Sequence, residues 1–159
     1  MAEINACSGN MTGVEIADAL SKEFPEGLTI TSFAPKRIYA QAGKEIFLDI
    51  VKFMKDELDF DHSSLVSGMD MGDRIQAIHH LTSYRNNCCL IEIVVDLDRD
   101  NPEIDSITPL YEGANYTERE TYDMLGIVFK GHPNLKRIFL PEDTQFYPLR
   151  KDFKLKEGP

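Results

Sequence analysis

Four groups able to move protons fall close together in the last third of the sequence: Glu118, Glu120, Asp123 and His132. General acid–base catalysis needs two such groups converging on one substrate atom. Glu118 and Glu120 lie two residues apart and so do not share a helix face, which argues against an independent enzyme built on them. The other reactive side chains come in adjacent pairs, Cys88-Cys89 and His79-His80. Neighbours on a strand point to opposite faces, and no C-x-x-C or Cys/His ligand spacing accompanies either pair. Core packing is therefore expected of them rather than metal or redox chemistry. With Cys7 the chain has 3 cysteines, an odd number that fits a reducing compartment and falls short of the four thiolates of an iron–sulfur cluster. No Gly-rich loop, G-x-S-x-G or P-loop pattern occurs, which removes the usual phosphate-binding and hydrolase readings. No catalytic, cofactor or metal site is expected on this chain.

The elements that must carry these residues follow from periodicity. Thr12-Gly-Val-Glu15 fits a capping box, and Ile16, Ala17, Leu20 and Phe24 form one apolar stripe ended by Pro25-Glu-Gly27. Leu28 to Phe33 reads as a strand with a partner near Arg37 to Gln41. Ile46, Phe47, Ile50, Val51, Met54 and Leu58 recur at helical spacing, predicting an amphipathic helix from about Lys44 to Leu58. Leu65 to Ser67 is a short candidate strand and Gly68-Met-Asp-Met-Gly72 a turn. Arg74 to Tyr84 then meets Cys88 to Leu97 across the Arg85-Asn-Asn87 loop. Asp96 to Asp105 holds five acids and Pro102 and reads as an exposed loop.

A chain of 159 residues suits one ordinary domain. The order of elements predicts an α+β fold: a single domain with a mixed sheet and helices packed mainly on one face, followed by an extended basic C-terminal segment. The expected boundary divides residues 1–129 from 130–159. A formal net charge of −10 repels phosphate backbones, so nucleic-acid binding is not expected. The charge is uneven: residues 130–159 carry +3 and residues 1–129 carry −13. Such asymmetry suits either a tail that meets another protein or a solvated basic face. No apolar run is long enough to span a membrane. Residues 1–10 lack a basic stretch followed by an apolar run, so export is not expected.

From Gly113 to Phe153 the residue types are unusually constrained. Thr117-Glu-Arg-Glu120 fits a second capping box, Arg119 and Asp123 sit at i and i+4, and Gly126 suits a left-handed stop after Leu125. Tyr116, Met124 and Leu125 would seat this helix. Ile127-Val-Phe129 then resumes extended chain and Gly131-His-Pro133 turns it.

These residues carry a resemblance. Glu118-Arg119-Glu120, Tyr122-Asp123-Met124, Gly126-Ile127, Phe129, Gly131-His132-Pro133, Leu135, Arg137 and Pro148-Leu149-Arg150-Lys151-Asp152-Phe153 resemble the thirty-kilodalton subunit of respiratory complex I and its relatives in membrane-bound hydrogenases and archaeal deazaflavin-dependent dehydrogenases. The match covers about a quarter of the chain directly. Tyr116 stands where the family usually has Trp, and Lys136 where it usually has the first of two arginines, keeping the charge but losing the bidentate fork. Pro141 to Tyr147 replaces the usual second turn, and the long tail of respiratory versions is not seen. With the acidic body, these departures look like the archaeal deazaflavin-dependent branch.

The resemblance implies a non-catalytic structural subunit in the peripheral arm of a complex I-like oxidoreductase. It would bind no cofactor; iron–sulfur clusters and flavin would sit on partner subunits. It would dock on the large subunit of the forty-nine-kilodalton type beside the small iron–sulfur subunit, above membrane-arm subunits, on the cytoplasmic side of the membrane. Electrons would pass from a reduced deazaflavin or NADH to a membrane carrier, coupled to ion translocation. The residues implied in docking are Glu118, Arg119, Glu120, Asp123, His132, Lys136, Arg137, Arg150, Lys151 and Asp152, with Arg137, Arg150 and Lys151 forming an exposed basic surface. An equivalent subunit of an energy-converting hydrogenase and a free-standing adaptor are the alternatives.

Overall fold

A computed structural model describes residues 11–154. Its elements run α1 (Gly13–Glu23), β1 (Leu28–Ala34), β2 (Arg37–Ala42), a short 3-10 turn (Lys44–Ile46), α2 (Phe47–Glu57), β3 (His62–Asp70), β4 (Arg74–Ser83), β5 (Cys89–Asp98), β6 (Glu103–Asp105), α3 (Ala114–Leu125) and β7 (Val128–Lys130). Five strands form one sheet in the order β1-β2-β5-β4-β3, and β6 and β7 form a second, two-stranded ladder. Neighbours in the large sheet are antiparallel except β2 and β5, which run parallel. The fold is therefore the mixed α+β sandwich expected. Cys7, the first ten residues and the last five lie outside the described residues.

Alternation along the central strands decides which side of the sheet is covered. Ile75, Ala77, His79 and Leu81 of β4 and Cys89, Ile91, Ile93, Val95 and Leu97 of β5 are buried, while the residues between them are partly exposed. On the buried face lie Ile16, Ala17 and Leu20 of α1 and Phe47, Ile50, Val51 and Met54 of α2, the same residues that made the two sequence stripes. Each fully buried large apolar side chain contributes about 1.5–3 kcal/mol. The first capping box forms as read: Glu15 N donates to Thr12 Oγ1 at 3.3 Å and Thr12 N to Glu15 Oε2 at 2.7 Å. Of the adjacent pairs only the histidines split between faces of the sheet, because Cys88 lies in the turn that precedes β5, at φ 56°, and not on the strand expected to begin there. Cys89 is buried and Cys88 exposed. His79 is fully buried beside Phe47, with ring centroids 4.4 Å apart, whereas His80 pairs with Glu92 on the other face.

Three local expectations are corrected. Gly68-Met-Asp70 is not a turn but the end of β3, and only 71–73 reverse the chain. A side chain is disfavoured there because the end of α3 and the residues after it pack closely: a Cβ at Gly68 would stand 2.8 Å from Leu125 Cδ1, 2.9 Å from Ile127 Cδ1 and 3.0 Å from Gln76 O. Asp96 to Asp105 is not one exposed loop. Its first three residues finish β5, Pro102 is buried, and Glu103–Asp105 pairs in parallel with Val128–Lys130, so acidic composition concealed two strand ends. The second capping box does not exist either, since α3 begins at Ala114 and Thr117 is already inside the helix, its hydroxyl donating to Ala114 O at 3.0 Å. The Tyr111 and Glu112 carbonyls accept from Ala114 N and Asn115 N and continue a turn into the helix in its place.

Candidate functional site

The C-terminus of α3 poses a physical problem that organises everything after it. The last carbonyls of a helix have no partner within the helix and must find one. Gly126, at φ 78°, turns the chain left-handed and its N–H caps Tyr122 O at 2.9 Å. The three following carbonyls are met by the chain beyond β7. Arg137 Nη1 donates to Asp123 O at 2.9 Å, Leu149 N to Met124 O at 3.1 Å, and Arg150 Nε to Leu125 O at 2.8 Å. Two guanidinium groups thus sit at the negative end of the helix dipole.

Asp123 is the hub of this arrangement. Its side chain is fully buried; Oδ2 accepts from the N–H groups of Ile138, Phe139 and Leu140 at 2.9, 2.7 and 3.1 Å, and Oδ1 from Arg137 Nη1 at 2.7 Å. Burial alone would push its carboxyl up, but the Phe139 N–H, Arg137 and the two further N–H groups outweigh it and hold the carboxyl below its usual range. The other guanidinium nitrogen of Arg137 donates to Thr144 O at 2.9 Å and Phe146 O at 3.3 Å. Tyr147 stands against both cations, its ring centre 5.0 Å from Arg137 Cζ and 4.8 Å from Arg150 Cζ. Its ring also roofs Gly126, where a Cβ would come within 2.6 Å of it.

Two more carboxylates brace the same region. Glu118, fully buried, accepts from Ser106 Oγ at 2.5 Å, Ile107 N at 2.8 Å and Thr108 Oγ1 at 3.0 Å, fixing the 106–108 turn against α3. Burial outweighs these bonds and raises its carboxyl. Asp70, at the inner end of β3, accepts from Arg99, from Gly72 N at 2.7 Å and from Lys151 N at 2.8 Å, so it ties the end of the C-terminal segment to the sheet. Burial pushes the Asp70 carboxyl up, yet Arg99 and the Lys151 and Gly72 N–H groups hold it at about 2.

The residues singled out in sequence therefore divide. Glu118, Asp123, Arg137 and Arg150 act inside the chain, so Arg137 and Arg150 are not part of an exposed basic surface; the Arg137 side chain is only 6% exposed. His132 is a strut: its Nδ1 accepts from Asn134 N at 3.0 Å, which leaves Nε2 to donate to Asn115 O at 3.2 Å. Burial, offset only in part by that bond, lowers its pKa. Arg119 bridges from α3 to Lys136 O at 3.1 Å. Glu120, Lys136, Lys151 and Asp152 are exposed, and Asp152 reaches Arg99 at 3.5 Å. Asp70, Arg99 and Tyr147 were missed. Asp70 was readable in principle, because Val66, Gly68 and Asp70 alternate onto the buried face once β3 is extended.

Among the described residues no three His, Cys, Asp or Glu side chains gather as a metal site would require. Nor is any helix there long and apolar enough to cross a membrane. Among the exposed side chains of the C-terminal segment three are large and apolar, Phe139 at 65% exposure, Phe146 at 47% and Leu149 at 62%, interspersed with charged ones such as Lys136, Glu142, Asp143 and Lys151.

The sequence pattern of the family described as respiratory-chain NADH dehydrogenase, 30 Kd subunit, matches residues 40–159. The C-type subunit of the F(420)H(2) dehydrogenase of Methanosarcina mazei is 39% identical over 143 residues, covering 87% of this chain and 90% of that protein. The C-type subunit of the NADH-quinone oxidoreductase of Roseiflexus sp. is 43% identical over 116 residues, covering 70% of this chain and 66% of that protein. Among solved structures, the trypsin-resistant fragment of Nqo5 superposes with a TM-score of 0.65 at 24% identity, over 76% of this chain and 98% of that one. A chain of the membrane-bound sulfane sulfur reductase, an archaeal respiratory membrane complex, gives 0.79 at 20% identity, over 90% and 86%. At those identities the two structures speak for the fold alone.

Proposed function

The chain belongs to the family of the 30 kDa subunit of respiratory-chain NADH dehydrogenase, and from that premise we propose that it is a non-catalytic structural subunit of the peripheral arm of a complex I-like membrane-bound oxidoreductase. It docks on the large subunit of the quinone module, beside the small iron–sulfur subunit and on the cytoplasmic side of the membrane arm. Electrons pass from a reduced deazaflavin or NADH to a membrane carrier through clusters and flavin held by those partners. The similarity to the F(420)H(2) dehydrogenase protein supports the deazaflavin branch.

One observation carries this reading. The charged residues that most suggest chemistry are engaged in holding the C-terminal segment onto α3, and the segment so held presents three large apolar side chains, Phe139, Phe146 and Leu149, among its exposed residues. A segment already fixed in shape loses little further entropy when a partner covers it, which favours docking over chemistry at that place. Exposed aromatic and aliphatic side chains of this kind are the usual anchors of an interface.

The test is a Phe139→Ser, Leu149→Ser double variant, tagged and expressed in place of the wild-type chain. Both side chains are exposed, so the isolated variant should melt within a few degrees of wild type, while recovery of the large subunit from gently washed membranes should fall severalfold. Undiminished recovery, or turnover of reduced deazaflavin by the isolated wild-type chain, would overturn the reading.

A further inference from the structure

The five-stranded sheet ends in two edge strands, β1 and β3, and they differ in what lies against them. The end of β3 is held by α3 and the C-terminal segment: Thr121 Oγ1 donates to Val66 O at 3.2 Å, and Lys151 N to Asp70 Oδ2 at 2.8 Å. On β1, no hydrogen bond from any element but β2 reaches the backbone among the described residues. Thr29 and the four residues from Thr31 to Ala34 are exposed, Phe33 at 54%. Neither a charge nor a proline interrupts Leu28-Thr-Ile-Thr-Ser-Phe-Ala34, although these are the usual devices by which a sheet edge refuses a further strand. The register against β2 shifts at Thr31, whose hydroxyl donates to Tyr39 O at 3.0 Å; the shift divides the edge into two short ladders and leaves both uncovered.

We infer that the unassembled chain pairs with a second copy of itself, β1 lying antiparallel to β1 so that two five-stranded sheets join across a two-fold axis. Self-complementary charge selects this occupant. Glu26 precedes β1, and Lys36 and Arg37 follow it; all three are exposed, and none has an opposite charge within ion-pair distance among the described residues. Lys22 and Glu23, at the end of α1, offset one another. An antiparallel pairing sets the basic end of each strand against the acidic end of the other, twice over, as a self-complementary interface requires. A parallel pairing would set like charge on like. Main-chain bonds give such an added strand its affinity, and the end charges give it direction. The net charge of −10 on each copy opposes association, but at physiological ionic strength that field is screened beyond about 8 Å, so the contacts at the edge decide.

The experiment is sedimentation equilibrium of the full chain at physiological salt across micromolar concentrations. Wild type should pass from one copy to two, and hydrogen exchange should slow with rising concentration in β1 but not in β3. Phe33→Lys puts a charge on the exposed edge and should leave the chain monomeric, with its melting temperature at low concentration unchanged. Lys36→Glu and Glu26→Lys should each raise the dissociation constant about tenfold. The two together should restore it, a rescue that misfolding of either single variant could not give. A wild-type chain that stays monomeric, a dimer indifferent to Phe33→Lys, or a double variant no tighter than the single ones would overturn the inference. So would exchange in β1 that slows only when another subunit is added. None of these outcomes bears on the docking function, which is read from recovery of the large subunit.

Discussion

The sheet with its first two helices and the segment from Gly131 to Lys154 are held together by opposite means. In the first, helices and strands satisfy their own backbone groups, so the side chains are free to form an apolar core, and Ile16, Leu20, Phe47, Ile50, Val51 and Met54 meet Ile38, Ile91 and Ile93 with essentially no exposure. In the second there is no regular structure beyond β7, and each backbone group that the segment buries must be met by something else. Asp123 meets three N–H groups, Arg137 three carbonyls including one of α3, and Asp70 one N–H. Regular structure makes a region tolerant of exchange among apolar residues, whereas irregular structure makes it depend on individual charges.

Three substitutions break that comparison at decreasing cost. Ile50→Asp places an unpaired carboxylate in the core beneath α2, where Ile50 has no exposure. The cost is several kcal/mol against the roughly 5–15 kcal/mol that a domain possesses. The variant should show no cooperative thermal transition, and a melt close to wild type would show that apolar packing is not what holds the body. Asp123→Ala comes next. It strands Arg137 and three N–H groups, and breaking a buried pair at one end costs about 3–5 kcal/mol. Hydrogen exchange should rise across residues 137–150 before it rises in β4 and β5; a uniform rise would mean that the two regions unfold as one.

The third sharpens the comparison by pH. His79 is buried among apolar groups with neither ring nitrogen partnered in the structure, and burial, with a lesser contribution from His80, lowers its pKa from 6.5 to about 3. The unfolded chain therefore binds the proton more readily, so stability is full above pH 6.5 and falls as pH drops toward 3. The loss is roughly 2 kcal/mol by pH 5. In Asp70, whose carboxyl is lowered from 3.8 to about 2, the stabilisation is present above 3.8 and lost only as pH falls through 2. His79→Leu should flatten the melting temperature between pH 6.5 and 4.5 and leave the steeper loss at lower pH intact. An unchanged slope in the variant would remove His79 as the source of acid sensitivity in the body.

Periodicity was enough to read the body. The stripes of α1 and α2, the alternation in β4 and β5, and the division of His79 from His80 all follow from repeats of 3.6 and 2 residues, which local geometry enforces whatever the tertiary context. The constrained segment from Gly113 to Phe153 was visible by residue type, and the left-handed turn at Gly126 was foreseeable because a side chain resists that backbone. Tertiary structure alone decided what those residues do. Whether Arg150 faces a partner or caps Leu125 O depends on a chain path of twenty-five residues that no period describes. The acidic stretch at Asp96 to Asp105 looked solvated because composition does not reveal that Val128–Lys130 comes alongside Glu103–Asp105. Likewise Asp70 passed for a turn residue until β4, Arg99 and the C-terminal segment arrived around it. Local geometry sets which residues share a face, but only the closing of distant segments on one another sets which buried charge finds which partner.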